Sequence, residues 1–326
     1  MLAAASGPVA EAVAGPIPGA VLGVVTADRH RAVQSFGQAQ TEPSRVPMQR
    51  QTWFDLASLT KVLFTTPAIL GLVEQGRIGL DDPLIAAIPD LRQYDPDAPE
   101  RRLTVRQCLA HQTHLPAVEP LYTYGQDPAT LRAFILQRVW RPGPPVYSDI
   151  NFILLGIAIE RLTGRPLLEQ LLPPGFSFRP DPEQTASTER CTWRGRVMRG
   201  EVHDENAFAL GGAAGHVGLF GTIDGVLDAT QDLLLGRTQG AASMRARQSA
   251  TRTLGWEARH PGWSGGDACS EATIGHTGFT GTGVWIDFDR GLAWALLTNR
   301  VHPTRHRESG IAGLRRRVGE LIVAAC

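Results

Sequence analysis

Lysine is almost missing from this chain: of its 32 lysine and arginine residues, only Lys61 is a lysine. Where a surface charge or a salt bridge is needed, the chain uses the guanidinium of arginine. What arginine cannot supply near neutral pH is a reversible proton, which a partly buried lysine can. The scarcity therefore marks Lys61 as a position where proton transfer is required. Net charge is lacking too, because 32 acidic residues balance the basic ones, and this excludes the basic field of a nucleic-acid binder. The longest apolar run, 62–73, is too short for a bilayer and contains Pro67. The N-terminus has no basic start and is broken by Gly15, Pro16, Pro18 and Gly19, unlike a signal peptide or membrane anchor. A cytoplasmic chain is expected, although an exported mature form would look the same. The four cysteines, Cys108, Cys191, Cys269 and Cys326, are widely spaced without a Cys-x-x-Cys pair. That spacing argues against a zinc cluster and leaves reduced thiols as the expectation.

A chain of 326 residues with 43% apolar content can bury a large core in two lobes. Residues 4–14 are alanine-rich and helical in character. Two short strands follow at 20–25 and 31–36, joined by a polar turn around Asp28. A helix opening near Ser58 is predicted to run to Glu74 with Gly76 as its stop, kinked or broken at Pro67. Residues 80–205 carry helical fragments at 105–111, 129–139 and 151–163, and read as a mostly helical inserted lobe. Strand character returns at 253–257, 283–288 and 292–298, before a terminal helix at about 305–324. Within that helix Arg315, Arg316 and Arg317 read as a solvated face. The fold class expected is α/β (α+β): an antiparallel sheet lobe from 1–79 and 206–326, with helices at both ends and the helical lobe 80–205 inserted. The active site is expected between the lobes.

Lys61 stands three residues after Ser58 in Ser58-Leu59-Thr60-Lys61. On a helix, residues three apart share a face, so hydroxyl and amine come within reach. That is the arrangement of a serine nucleophile activated by a lysine base. By itself a Ser-x-x-Lys pair is a weak signal, and a lone tyrosine in a proline-rich loop is usually a packing residue; their meaning comes from company. A second segment runs Leu72-Val73-Glu74-Gln75-Gly76-Arg77-Ile78-Gly79-Leu80-Asp81-Asp82-Pro83, and a third runs from Leu103 to Pro116 through His111 and His114. Further on come Tyr147-Ser148-Asp149 and His276-Thr277-Gly278.

In this order the segments resemble the serine β-lactamase-like, penicillin-binding-protein-like hydrolases, in the branch of class C β-lactamases, D-alanyl-D-alanine carboxypeptidases and esterases. The resemblance covers about residues 15–300. It implies that Ser58 is the nucleophile, that Lys61 assists its deprotonation, and that Tyr147 exchanges protons with Ser58 and the leaving group. It also implies an oxyanion hole made by the N–H groups of Ser58 and Phe279; each such donor is worth about 3 kcal/mol. His276, Thr277 and Gly278 would line the substrate strand, and Asp149 would face substrate too. Two departures stand out. Asp149 replaces the usual asparagine, which removes an amide donor and adds a negative charge. His114 stands where glycine is expected. His276, where the family carries lysine or histidine, is a weaker carboxylate anchor than lysine, being largely neutral at pH 7. The stretch from His203-Asp204-Glu205 to Gly215-His216-Val217 resembles a sub-branch, its histidines bordering the site or buried against backbone partners.

Other readings are weaker. Gly262-Trp263-Ser264-Gly265-Gly266 fits a Gly-x-Ser-x-Gly nucleophile elbow, but its flanks read as loop instead of strand and helix. His111 with His114, or His203 with Asp204, lack a third metal ligand at a recognisable spacing. The expectation is a serine hydrolase without metal or organic cofactor, acting on a small-molecule ester, amide or β-lactam substrate, with no nucleic-acid or membrane partner. An esterase or amidase is the first reading, and a D-alanyl-D-alanine carboxypeptidase or β-lactamase the second. A non-catalytic penicillin-binding sensor is the alternative of another class, opposed by the presence of all three reactive residues.

Overall fold

A computed structural model describes all 326 residues. Its centre is a seven-stranded antiparallel sheet. From one edge the strands are Val46–Pro47, Arg31–Gln40, Gly19–Thr26, Leu292–Thr298, Gly283–Asp287, Ile274–Thr277 and Glu257–Ala258. First and last parts of the chain thus meet mid-sheet, with Val21 opposite Leu297 and Val24 opposite Trp294.

Period-two alternation explains how this sheet holds two cores. On one face, Ala20, Leu22 and Val24 join Trp294 and Leu296 in a cluster with the helices Leu2–Ala14 and Ile311–Ala324. On the other, Val21, Val25, Ala293, Ala295 and Leu297 enter a larger cluster. That cluster continues through Ile223–Leu234 and Asp149–Thr163 into the segment 80–205. The helix Asp149–Thr163 is buried along Ile150–Ile159 and ends at Gly164, whose φ of 70° suits glycine at a helix terminus. No helix is long and apolar enough to cross a membrane.

Three expectations are corrected here. The predicted break at Pro67 is instead one turn of π-helix at Lys61–Thr65, running directly into Thr66–Glu74. The Thr66 N–H bonds to the Lys61 carbonyl, and its hydroxyl donates to the same oxygen at 2.7 Å. The widened turn before the proline lets the helix continue past it without a break. The predicted strand at 253–257 is mostly a turn, closed by the Thr253 N–H on the Trp256 carbonyl, with strand only at Glu257–Ala258. The inserted segment also carries an extended piece, Phe176–Ser177, which pairs with Phe220–Gly221 on the side opposite Phe54–Asp55. This small ribbon fixes the chain just ahead of Ser58.

Candidate active site

Ser58 follows the ribbon strand Phe54–Asp55 through a tight turn. Asp55 is buried, and its carboxylate accepts the N–H of Ala57 at 2.8 Å and of His203 at 2.7 Å. Burial raises the Asp55 pKa. Ala57 has φ +47°, a strained value for a residue with a side chain. Thr60 Oγ1 donates to the Ala57 carbonyl at 2.7 Å and accepts the Leu219 N–H at 3.1 Å. The turn is therefore held at both ends by buried hydrogen bonds, and Ser58 opens the helical turn on which Lys61 lies.

Lys61 is fully buried. Its Nζ is 3.0 Å from Ser58 Oγ, 3.0 Å from the His216 carbonyl and 2.8 Å from Asp149 Oδ1. The His216 carbonyl reaches it because Gly215 packs directly on the helix Asp149–Thr163. A Cβ at Gly215 would lie 2.2 Å from the Phe152 carbonyl and 2.9 Å from Gly156 Cα, and its φ is +73°. Burial works against the ammonium, but the Asp149 carboxylate and the Tyr147 phenol outweigh it, and Lys61 is raised above the ordinary lysine range.

Tyr147 lies over the same amine, its ring centroid 5.1 Å from Lys61 Nζ. The Arg252 guanidinium is 5.1 Å from the same centroid. Two histidines flank the phenol, His111 at 4.5 Å and His276 at 5.8 Å between ring centroids. Burial, then the charges of Arg252 and Lys61, push His111 well below the usual histidine range; burial, then Lys61 and Arg252, do the same to His276. Both are neutral near pH 7, as the sequence suggests for His276. His111 Nδ1 accepts the Ser148 N–H at 3.0 Å, which leaves the proton on Nε2. His276 Nδ1 sits 2.9 Å from the Thr277 carbonyl and so carries the proton, leaving an Nε2 lone pair without a partner in the chain.

The strand Ile274–Thr277 forms one wall of the cleft and ends in the turn 278–282. Thr280 Oγ1 donates to the Asp55 carbonyl at 2.7 Å and Thr282 Oγ1 to the Leu56 carbonyl at 3.0 Å, stapling that turn to the serine loop. The N–H groups of Ser58 and Phe279 have no acceptor within the chain, and such idle donors can receive an oxyanion. Arg315, expected on a solvated face, is instead buried, and its Nη2 donates to the carbonyls of Gly278 at 2.8 Å and Thr282 at 2.6 Å. Burial lowers its pKa to about 9. The helix pattern could not reveal that one arginine of three points inward to brace the turn.

These groups open into a cleft of about 480 Å³ lined by Ser58, Tyr147, Asp149, His276, Thr277 and Phe279 among others. The cleft thus gathers the predicted residues; Lys61 reaches it beneath Ser58, while Gly278 lies in the turn behind its wall. Residues not predicted also line it, notably Arg252, Glu257, Glu205 and Arg305. In a chain where nearly every cation is arginine, nothing in the sequence distinguishes Arg252. His203 borders the cleft and stacks on Phe279 with centroids 5.7 Å apart, while His216 lies beneath. Their ring partners are chiefly carboxylates, His203 with Glu189 at 3.1 Å and His216 with Asp204 at 3.3 Å, not backbone alone. His114 lies 3.7 Å from the buried Glu100. Ser264 accepts from the Trp285 indole and lies in a loop, without the strand and helix that a nucleophile elbow needs.

Comparison with known proteins agrees with this architecture. The family model described as Beta-lactamase matches residues 8–316. An N-acetylmuramyl-L-alanine amidase of Bacillus subtilis (strain 168) is 32% identical over 351 residues, covering 89% of this chain and 79% of that protein. A putative D-alanyl-D-alanine carboxypeptidase of Escherichia coli (strain K12) is 30% identical, covering 77% and 70%. Among solved structures, a class C β-lactamase from Rhodobacter sphaeroides superposes with a TM-score of 0.75 at 20% identity, covering 99% of each chain. With the matched span taking in the Ser58, Tyr147 and His276 segments, this chain is a hydrolase of the β-lactamase family.

Proposed function

We propose that the protein is a serine hydrolase of amide and ester bonds that forms an acyl-enzyme on Ser58. The observation that carries this reading is the 3.0 Å contact between Ser58 Oγ and the only lysine side chain, at the floor of a cleft walled by two idle N–H donors. Ser58 attacks the substrate carbonyl while the Ser58 and Phe279 amides hold the oxyanion. Tyr147 passes a proton to the leaving group and recovers one from the deacylating water. In this reading the cleft lies between a sheet lobe, 1–79 and 206–326, and a helical lobe, 80–205. No metal or organic cofactor is required.

Amide substrates are favoured over simple esters by the two relatives, whose names describe an amidase and a carboxypeptidase. The neutral His276 argues against a dedicated β-lactamase whose carboxylate anchor is a cation at that position. Treatment with a fluorophosphonate followed by peptide mass spectrometry tests the nucleophile: one adduct on Ser58 is expected, and an adduct on Ser264 overturns the reading. Comparing hydrolysis of a D-Ala-D-Ala peptide, p-nitrophenyl acetate and a chromogenic cephalosporin tests the substrate class. Turnover of the cephalosporin far above the other two would refute the amidase preference.

A further inference from the structure

Lys61 is surrounded in a way that conflicts with its use as a simple base. An ammonium has three N–H donors and no lone pair, and here three acceptors surround it: Ser58 Oγ, the His216 carbonyl and Asp149 Oδ1. An amine held in that form takes a proton from Ser58 only by releasing one elsewhere. The His216 carbonyl cannot receive it. The His216 ring is turned away onto Asp204, and the neutral His276 bonds through Nδ1 to the Thr277 carbonyl and makes no hydrogen bond with Lys61 Nζ. His111 meets the Ser148 N–H through its lone pair, and Arg252 has no proton to exchange near pH 7. In the proposed reaction Tyr147 gives its own proton to the leaving group, so it acts there as a donor and does not also take up the proton of Ser58. Asp149 remains, 2.8 Å from Nζ, and no other group of the chain engages its Oδ1.

We propose that Asp149 receives, through Lys61, the proton that leaves Ser58. As Oγ bonds to the substrate carbonyl carbon, the Ser58 O–H breaks and an N–H forms on Lys61. At the same time a different N–H of Lys61 breaks and an O–H forms on Asp149. Lys61 stays an ammonium throughout, and the net transfer runs from a hydroxyl to a carboxylate. The proton returns by the same path when deacylation regenerates the serine. Asparagine at this position, the residue the resemblance implies, has no proton affinity for that purpose. Asp149 is therefore a positioning and proton-accepting partner of Lys61 at the edge of the cleft it lines. This inference rests on Ser58 being the nucleophile.

The lone lysine makes the test direct. Labelling with [13Cε]lysine gives one side-chain resonance, that of Lys61, read in the full-length protein with and without Asp149→Asn. In the natural protein that resonance stays in its ammonium position through the neutral range. In Asp149→Asn its titration midpoint falls, and the acid limb of kcat/KM moves to follow it, since the reaction now needs a neutral lysine. Loss of the relay lowers kcat/KM below that midpoint by about 100-fold. Asp149→Glu, which keeps a carboxylate, retains the natural acid limb. An Asp149→Asn protein with an unmoved limb overturns the relay, whether its rate is natural or uniformly reduced. Fluorophosphonate labelling separates the two levels: no Ser58 adduct defeats the nucleophile, whereas an adduct with an unmoved limb defeats only Asp149.

Discussion

Gly278→Ala is the substitution that reaches furthest into the site while leaving every reactive side chain in place. A Cβ at this position would lie 2.1 Å from Thr282 Oγ1, 2.6 Å from the Leu56 carbonyl and 3.2 Å from Ala57 Cβ. None of these can swing aside: two belong to the serine loop, and Thr282 Oγ1 is the hydroxyl that staples that loop to the turn. Relief requires the 278–282 turn to move outward by about 1 Å, against the two hydrogen bonds from Arg315. The Phe279 amide moves with it. Loss of one oxyanion donor costs about 10²–10³-fold in kcat, while the steric conflict costs about 1–3 kcal/mol of stability. Single-turnover acylation by p-nitrophenyl acetate measures the first and thermal denaturation the second. An alanine variant that acylates at the natural rate would show that the turn and the serine loop do not form one oxyanion site.

Lys61→Arg keeps the charge but cannot pass a proton, so turnover is expected to fall by about 10²–10⁴-fold; steady-state hydrolysis at natural levels would remove Lys61 from the mechanism. Tyr147→Phe should slow hydrolysis of a peptide amide more than of p-nitrophenyl acetate, whose leaving group needs no proton, and equal losses on both would contradict the phenol's role. Burial tends to raise the Glu189 pKa, but His203 and Arg305 hold the carboxylate at about 2. A depressed carboxylate contributes stability above its unfolded value, lost as pH falls toward the folded one. Glu189→Gln should therefore lower the melting temperature at pH 7, by at most about 3 kcal/mol of stability. The difference should shrink as pH drops from about 4.5 toward 2; a constant gap in calorimetry would refute the ion-pair account.

The short unbroken apolar runs at 20–25 and within 292–298 reported the central strands because both faces of that sheet are covered and each strand feeds two cores. The ordered Ser58, Tyr147 and His276 segments likewise sufficed to point at one cleft. What stayed hidden depends on contacts between distant segments. The His216 carbonyl that meets Lys61 lies 155 residues along the chain, and a backbone acceptor has no residue signature. Asp149 is visible as a departure from asparagine, but its contact with Lys61 follows from how the helix Asp149–Thr163 packs on Gly215. The π-turn at Lys61–Thr65 depends on a threonine hydroxyl answering a carbonyl near a proline, which no periodicity encodes. Arg252 and Arg305 are masked by composition.

The complete burial of the lone lysine has an experimental use beyond catalysis. Apart from the α-amino terminus, the folded chain offers acylating reagents a single primary amine, and that one is sealed under the nucleophile. Modification of it requires the floor of the cleft to breathe, so its labelling rate reads the free energy of that local opening at one atom. A ligand that occupies the cleft should slow the labelling, giving a binding assay that requires no turnover.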